Sequence, residues 1–280
     1  MAPLRYSTYV APPKPAVSDD LPPGGTQRTW SPTTATLISG ERDAILVDAL
    51  MTVDEATGLA DWIAATGRNL ATIFITHGHG DHFFGTSVVL DRFPTARVVA
   101  AAHVVERMQQ QLGPRWLDDI WRVQFPGQLP DRLVVAEPLT DHTLDLEGER
   151  LVVVELGHSD TDDTTALYVP SIGLVVAGDS VYNDVHLYLG EAGSGGIAAW
   201  LTALDTVEAL RPTAVVAGHK RDGADDGPHI IEETRDYLRD FEAGMARTKT
   251  TLELYDYMVT LHPGRVNRGV LWDSARAVKG

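Results

Sequence analysis

Residues 77–82 read His-Gly-His-Gly-Asp-His. Three imidazoles and a carboxylate in six residues are the side chains that hold zinc, and also iron or manganese. Spacing adds a physical reason. In an extended loop, residues two apart point the same way, so His77 and His79 can reach one ion. Asp81 and His82, at a turn into a helix, can aim at a second. A lone histidine is usually a surface residue, but this cluster is flanked by glycines that let the backbone approach closely.

Three more positions share one local grammar. Gly157-His158, Gly178-Asp179 and Gly218-His219 each directly follow an apolar run. Strand ends are held by a rigid sheet and are a usual place for catalytic groups. With the first motif they give seven candidate ligands: His77, His79, Asp81, His82, His158, Asp179 and His219. Two four- or five-coordinate metals sharing a bridging carboxylate and a bridging hydroxide would use all seven.

The elements that must position these residues alternate between the two hydrophobic periods. Strands are expected at 34–39 and 44–47, with Asp48 ending the second, then a helix at 53–65. A buried strand at 71–75 runs into the histidine loop, and one helix is expected from that loop to about Phe93. A strand at 97–101 and a helix at 103–112 follow. Further strands are expected at 132–135, 143–146, 151–155, 164–168 and 174–177. A helix at 197–210, a strand at 214–217 and helices at 230–246 and 250–257 complete the pattern.

Residues 1–30, rich in Pro, Gly, Ser and Thr, read as an irregular arm. The division expected is that arm, one domain over 31–260 and a polar tail over 261–280. The segment Gly113–Pro130 carries Trp116, Trp121 and Phe125 among prolines and glycines. It reads either as a lid over a site or as a loop packing its own aromatics.

Composition narrows the class. There is no cysteine, which excludes disulfide scaffolds and thiolate chemistry. Twenty-three basic against 39 acidic residues leave a net charge of -16, a surface that repels phosphate backbones, so no nucleic-acid partner is expected. No run approaches the ~20 apolar residues that span a bilayer, so no membrane partner is expected. Prolines and acids occupy the N-terminus where a secretory signal would be apolar, which points to the cytoplasm. The expected partner is a small-molecule substrate, and a homodimer is compatible with the sequence.

The order His-x-His-x-Asp-His, then a single His, a single Asp and a single His, resembles the metallo-β-lactamase superfamily. The resemblance runs from about Thr34 to His219, and Asp48 sits where that superfamily has a supporting aspartate near the metal loop. It implies an α/β fold, an αββα sandwich of two mixed sheets flanked by helices, with the metals at one edge. By position His77, His79 and His158 would hold the first metal. Asp81, His82 and His219 would hold the second, and Asp179 would bridge. The implied cofactor is a pair of divalent ions, zinc first, with iron or manganese as alternatives.

The implied chemistry is hydrolysis: a metal polarises a carbonyl, and a metal-bound water of pKa near ~7 supplies hydroxide. Asp81 would also move the proton to the leaving group. Tyr182, three residues past Asp179, stands where quorum-quenching lactonases of the superfamily carry a tyrosine that hydrogen-bonds substrate. A lactone is therefore the first substrate expected, with other small esters and thioesters beside it. His186, Trp116 and Trp121 are candidate pocket residues; for His186 alone a core or solvated role is the stronger reading.

The alternatives are a β-lactam hydrolase and an iron-dependent persulfide dioxygenase. A bridging Asp179 departs from the Cys or Ser of many true β-lactamases, which weakens the first. A metal-stabilised, non-catalytic binding protein is disfavoured, because a structural zinc needs only four closed ligands.

Overall fold

The computed structural model describes residues 3–280. Two mixed sheets face each other. The first has six strands in the order β1 (Arg5–Val10), β4 (Thr34–Ser39), β5 (Asp43–Val47), β6 (Asn69–Phe74), β7 (Arg97–Ala100) and β8 (Glu137–Pro138). The second has five: β14 (Ala214–Val216), β12 (Leu174–Val176), β11 (Thr164–Val169), β10 (Glu149–Gly157) and β9 (Thr143–Leu146). Two small pairs stand apart, β2 (Lys14–Ala16) with β3 (Arg28–Trp30), and β13 (Tyr182–Asn183) with β15 (His219–Lys220).

Strand periodicity explains the layers. On β5, Ile45 and Val47 face the space between the sheets, while Ala44 and Leu46 face the other way. On β12, Leu174 and Val176 face the same inner space and Val175 turns outward. Alternate residues thus feed different cores, and each sheet is buried on both faces, as apolar β-branched runs require. The outer face of the first sheet is covered by α1 (Val53–Ala65), α2 (Gly80–Phe83), α3 (Thr86–Arg92) and α4 (Ala102–Gln111). The outer face of the second is covered by α7 (Gly196–Ala209), α8 (His229–Arg247), α9 (Thr251–Leu261) and α10 (Arg268–Lys279). The αββα order is the one expected.

Helix starts follow local chemistry. Thr52 caps α1 by accepting from the Glu55 amide, and Glu55 returns a carboxylate to the Thr52 amide at 3.0 Å. The same reciprocal box, Thr250 with Glu253, starts α9. Each satisfies helix-end donors that would otherwise be orphaned.

Four expectations are corrected. The arm expected over 1–30 is not irregular across its described residues, 3–30, with 1–2 lying outside them: β1 pairs along its whole length with β4, Arg5 opposite Ser39 to Val10 opposite Thr34. Its pattern is half-exposed, which hid it among prolines. Residues 261–280 are not a tail, because α10 buries Leu271 and Ala275 in the second outer core. The single helix expected to start in the histidine loop is two short ones, broken at Gly85, where a side chain would strike the Ala49 carbonyl at 2.3 Å. The strand expected at 132–135 is irregular, and two-residue β8 takes the sheet edge beyond it.

The segment 113–130 coils into α5 (Pro114–Trp116), one π-helical turn (Leu117–Trp121) and α6 (Arg122–Gln124). No helix among the described residues is long and apolar enough to cross a membrane.

Candidate metal centre

Strand ends of both sheets converge at one edge of the sandwich. β6 delivers Thr76 and His77, and the loop beyond delivers His79, Asp81 and His82. β12 delivers Asp179, and β14 leads into His219. The close approach of the last two needs a glycine, since a Cβ at Gly218 would lie 2.0 Å from Asp179 Oδ1. β13 and β15 then pair Tyr182 with His219.

Two groups of ligand-type atoms form. His77, His79, Asp160 and Asp179 gather in one, and Asp81, His82 and His219 in the other, with ligand atoms in each group within 4.8 Å of one another. Asp179 joins them. Its Oδ1 is 3.2 Å from His82 Nε2, and its Oδ2 is 3.0 Å from His219 Nε2 and 4.0 Å from His77 Nε2. Asp81 Oδ2 lies 3.5 Å from His219 Nε2 and 3.9 Å from His82 Nε2.

The remaining ring nitrogens are held in place. His82 Nδ1 meets Asp48 Oδ2 at 2.9 Å, and Asp48 also accepts from the Thr76 amide and hydroxyl at 2.9 Å each. His77 Nδ1 meets Thr76 Oγ1 at 3.0 Å, and His219 Nδ1 meets the Pro32 carbonyl at 2.9 Å. His79 Nε2 meets Glu191 Oε1 at 3.0 Å. Such partners fix ring orientation and raise ligand basicity.

The fit to metal rests on atoms left over. His77 Nε2, His82 Nε2, Asp160 Oδ2 and Asp179 Oδ1 are buried with no hydrogen-bond partner. Buried polar atoms are normally paired. They lie close together, Asp179 Oδ1 at 3.2 Å from His82 Nε2 and Asp160 Oδ2 at 3.6 Å from His77 Nε2. Metal bonds of ~2.0–2.1 Å at tetrahedral angles put neighbouring ligand atoms about 3.3 Å apart, the scale of the separations found.

Electrostatics agree. Burial alone would raise the Asp179 carboxyl, but His219 and His82 hold it well below the usual carboxylate range. Burial alone would lower His82 and His79. Asp179, Asp81 and Asp48 hold His82 well above its ordinary value, and Asp160 and Glu191 do so for His79. Burial, with the His82 charge, pushes His77 down. The site is a dense cluster of imidazoles and carboxylates that shift one another's charge.

A cavity of about 280 Å³ opens onto the cluster. His79, Asp81, Asp160, Asp179 and His219 form its floor, and Trp30, Trp116, Ile120 and Trp121 form an apolar wall. Trp30 donates its indole N–H to Asp81 Oδ2 at 2.9 Å and sits edge-on to Trp121 and Phe125. The opposite rim carries Arg28 and Asp273, which pair with each other.

Comparison with known proteins agrees with this geometry. Residues 28–219 match the sequence profile of the metallo-beta-lactamase superfamily. The chain belongs to that superfamily. A metallo-beta-lactamase family protein from Thermus thermophilus superposes with a TM-score of 0.64 at 22% identity, over 97% of this chain and 91% of that one. A metallo-beta-lactamase from Pontibacter korlensis gives 0.60 at 18%, over 86% and 96%. These likenesses carry the fold. Among curated proteins, hydroxyacylglutathione hydrolases from Aeromonas salmonicida (strain A449) and Synechococcus sp. (strain CC9605) are each 33% identical, over 91 and 72 residues. Those matches cover 32% and 26% of this chain and 33% and 27% of the relatives, so the chain spans about a third of the length of the curated relatives it matches.

Members of the superfamily typically bind divalent metals, and six of the seven residues expected from its motif come together here. His158 does not join them. Its Nδ1 meets Asp162 Oδ1 at 2.7 Å, and its Nε2, buried and without a hydrogen-bond partner, faces Gly196 at the start of α7. The cause is local: β10 carries a bulge between Glu155 and Gly157, and Gly157 turns the chain at φ 73°. Asp160, two residues on, reaches the floor instead.

Tyr182 lines the cavity and donates its hydroxyl to Asp179 Oδ2 at 2.9 Å. Burial and the Asp179 charge push its pKa well up, so it stays protonated. Trp116 and Trp121 line the cavity, and Trp121 also donates to Gln111 at 2.6 Å. His186 is corrected: it is buried in the second outer core on the Tyr237 hydroxyl at 2.9 Å, and burial lowers it to about 3. Trp30, Asp160, Tyr188 and Glu191 were not among the site residues expected from the sequence. Asp160 carried a signal, since it sits only two residues past His158. Glu191 and Trp30 carried none, because their partners are 112 and 51 residues away.

Proposed function

We propose that this chain is a metal-dependent hydrolase that opens the carbonyl–oxygen bond of a small acyl substrate, a lactone before an open ester. The observation that carries the reading is the ring of unpartnered imidazole and carboxylate atoms at the floor of an aromatic-walled cavity. His77, His79, Asp160 and Asp179 would hold one divalent ion, and Asp81, His82, His219 and Asp179 another. Bound there, such ions polarise a carbonyl and make hydroxide available at neutral pH.

The chain's own residues supply the rest. Asp81, fixed by the Trp30 indole, keeps a carboxylate facing the cavity, where it can take and return a proton. Tyr182 would turn its one hydroxyl hydrogen from Asp179 Oδ2 to substrate oxygen that gains charge as the bond breaks. Trp116, Ile120 and Trp121 exclude water and offer an acyl chain apolar contact.

A thioester is the second reading, favoured by the hydroxyacylglutathione hydrolases among the relatives. Proton release by pH-stat separates the two. Metal-loaded protein is tested with acyl lactones, acyl thioesters and a β-lactam, each with and without chelator. Chelator-sensitive turnover of lactones, with the rate rising with acyl length, is expected. Turnover of thioesters alone would replace the first reading by the second. Silence across the panel, with oxygen uptake on a persulfide, would reject hydrolysis.

A further inference from the structure

Two tyrosines line the cavity, and their hydroxyls stand in different circumstances. Tyr182 is buried and gives its one hydrogen to Asp179 Oδ2 at 2.9 Å. Tyr188 is half-buried, and its ring stands edge-on to the imidazole of His79, with centroids 5.9 Å apart. Burial, then the Glu191 and Asp160 charges, push its pKa up, so the phenol keeps its proton. Among the described residues nothing accepts that proton as a hydrogen bond. Both oxygens of neighbouring Glu191 are engaged elsewhere, Oε1 with His79 Nε2 at 3.0 Å and Oε2 with the Thr161 hydroxyl at 2.7 Å.

The chain fixes this ring in place. Leu187 and Leu189 are buried in the second outer core, so alternation turns Tyr188, between them, toward the cavity. Ser274 of α10 ties both neighbours: its Oγ accepts from the Leu189 amide at 2.9 Å and lies 3.2 Å from the Leu187 carbonyl. The ring lies against Gly190, where a Cβ would come within 2.6 Å of the ring and its hydroxyl. A phenol held this way is ordered before substrate arrives, so a hydrogen bond from it costs little further freedom.

We propose that Tyr188 is a second catalytic donor, whose hydroxyl hydrogen-bonds the carbonyl oxygen of the bound acyl substrate as that oxygen gains charge. The proposal rests on the hydrolase reading above and assigns the two tyrosines to different oxygens. Tyr182 stands beside His219, with ring centroids 5.4 Å apart, and serves the leaving oxygen. Tyr188 stands beside His79, in the other ligand group, and serves the carbonyl oxygen. The phenol keeps its proton throughout. Water oxygen bonds to the carbonyl carbon, and its proton passes by Asp81 to the leaving oxygen. The bond to that oxygen breaks as the carbonyl re-forms. Tyr188 has no bond to give up in order to act, whereas Tyr182 must first release Asp179.

The test uses the full-length, metal-loaded chain and its Tyr188→Phe variant. Bound metal is counted by elemental analysis, and kcat and KM are measured on acyl lactones and thioesters. Binding of an acylated lactam, the slowly hydrolysed amide counterpart of the lactone, is followed by tryptophan fluorescence. The variant is expected to keep the wild-type metal content and to lose about a hundredfold in kcat. Its lactam affinity is expected to fall about fivefold, through the lost bond to the carbonyl. A kcat within about twofold of wild type would overturn the proposal. A lowered metal content would overturn it too, by making the ring a support for His79. Wild-type silence across the panel would remove the hydrolase reading. The carbonyl contact then stands or falls on the lactam, and equal affinity in the two proteins would overturn it.

Discussion

Two loops face each other across the cluster, residues 77–82 and residues 158–163. In the first, His77, Asp81 and His82 are essentially inaccessible, and their fixing partners Asp48 and Thr76 are buried too. Asp48 even adopts a left-handed φ of 61° to reach both Thr76 and His82, a strain of ~1–3 kcal/mol that the surrounding bonds must offset. In the second, Ser159, Asp160 and Thr161 are buried, but Asp162 and Asp163 are exposed and tied down by Arg107. Exposed ion pairs of that kind contribute ~0–1 kcal/mol. One side of the cluster is therefore fixed by buried partners alone, and the other is fixed in part by exposed ion pairs.

Metal removal gives the largest effect that difference allows. Chelation should abolish turnover and raise hydrogen exchange at 158–163 far more than at 77–82; equal exchange in both loops would break the contrast. Next, Asp48→Asn should weaken metal binding ~10–100-fold by releasing His82. Asp162→Ala should weaken it less than about fivefold, the limit for an exposed pair. Competition with a fluorescent chelator reads both, and equal losses would erase the distinction.

Smaller is the Trp30→Phe change, which removes the indole donor from Asp81. A hydrogen bond to a charged group contributes ~1.5–3 kcal/mol, so kcat should fall about tenfold or more with metal content intact. A change confined to KM would assign Trp30 to the wall alone.

The smallest effect is on melting temperature. In metal-free protein, His79 and His82 have pKa values held well above 6.5 by facing carboxylates. That stabilisation is complete below 6.5 and drains away as pH rises through the raised values. Metal needs the same nitrogens unprotonated, so loaded protein should gain stability over the same rise. Thermal melts between pH 6 and 9 should therefore slope in opposite directions with and without metal. Parallel slopes would mean that neither ring titrates in that window.

The same asymmetry governed what could be read from the sequence. The 77–82 motif was legible because its ligands are consecutive and its strand, 71–75, is a plain apolar run. Asp179 and His219 were legible because each follows an apolar strand and a glycine. His158 obeyed that rule too, yet it lies outside the two groups, since a bulge at Leu156 and a left-handed Gly157 shift the chain after the strand, and no composition signal marks a bulge. The αββα layers followed from the motif's resemblance alone, while strand periodicity gave only the elements. The edges did not: β1 is only half buried, and α10 mixes charges with its apolar stripe. Trp30 and Glu191 became visible only once distant segments were brought together.

The pairing of Arg28 with Asp273 closes a span of 245 residues. Closing a loop of that length costs about 5 kcal/mol of chain entropy before any contact repays it, so such contacts form late. Every ligand-type residue, from His77 to His219, precedes Asp273 in the chain. During synthesis the floor of the cavity can therefore assemble while its rim is still missing. α10 then adds Asp273 to the rim of a cavity whose floor is already in place.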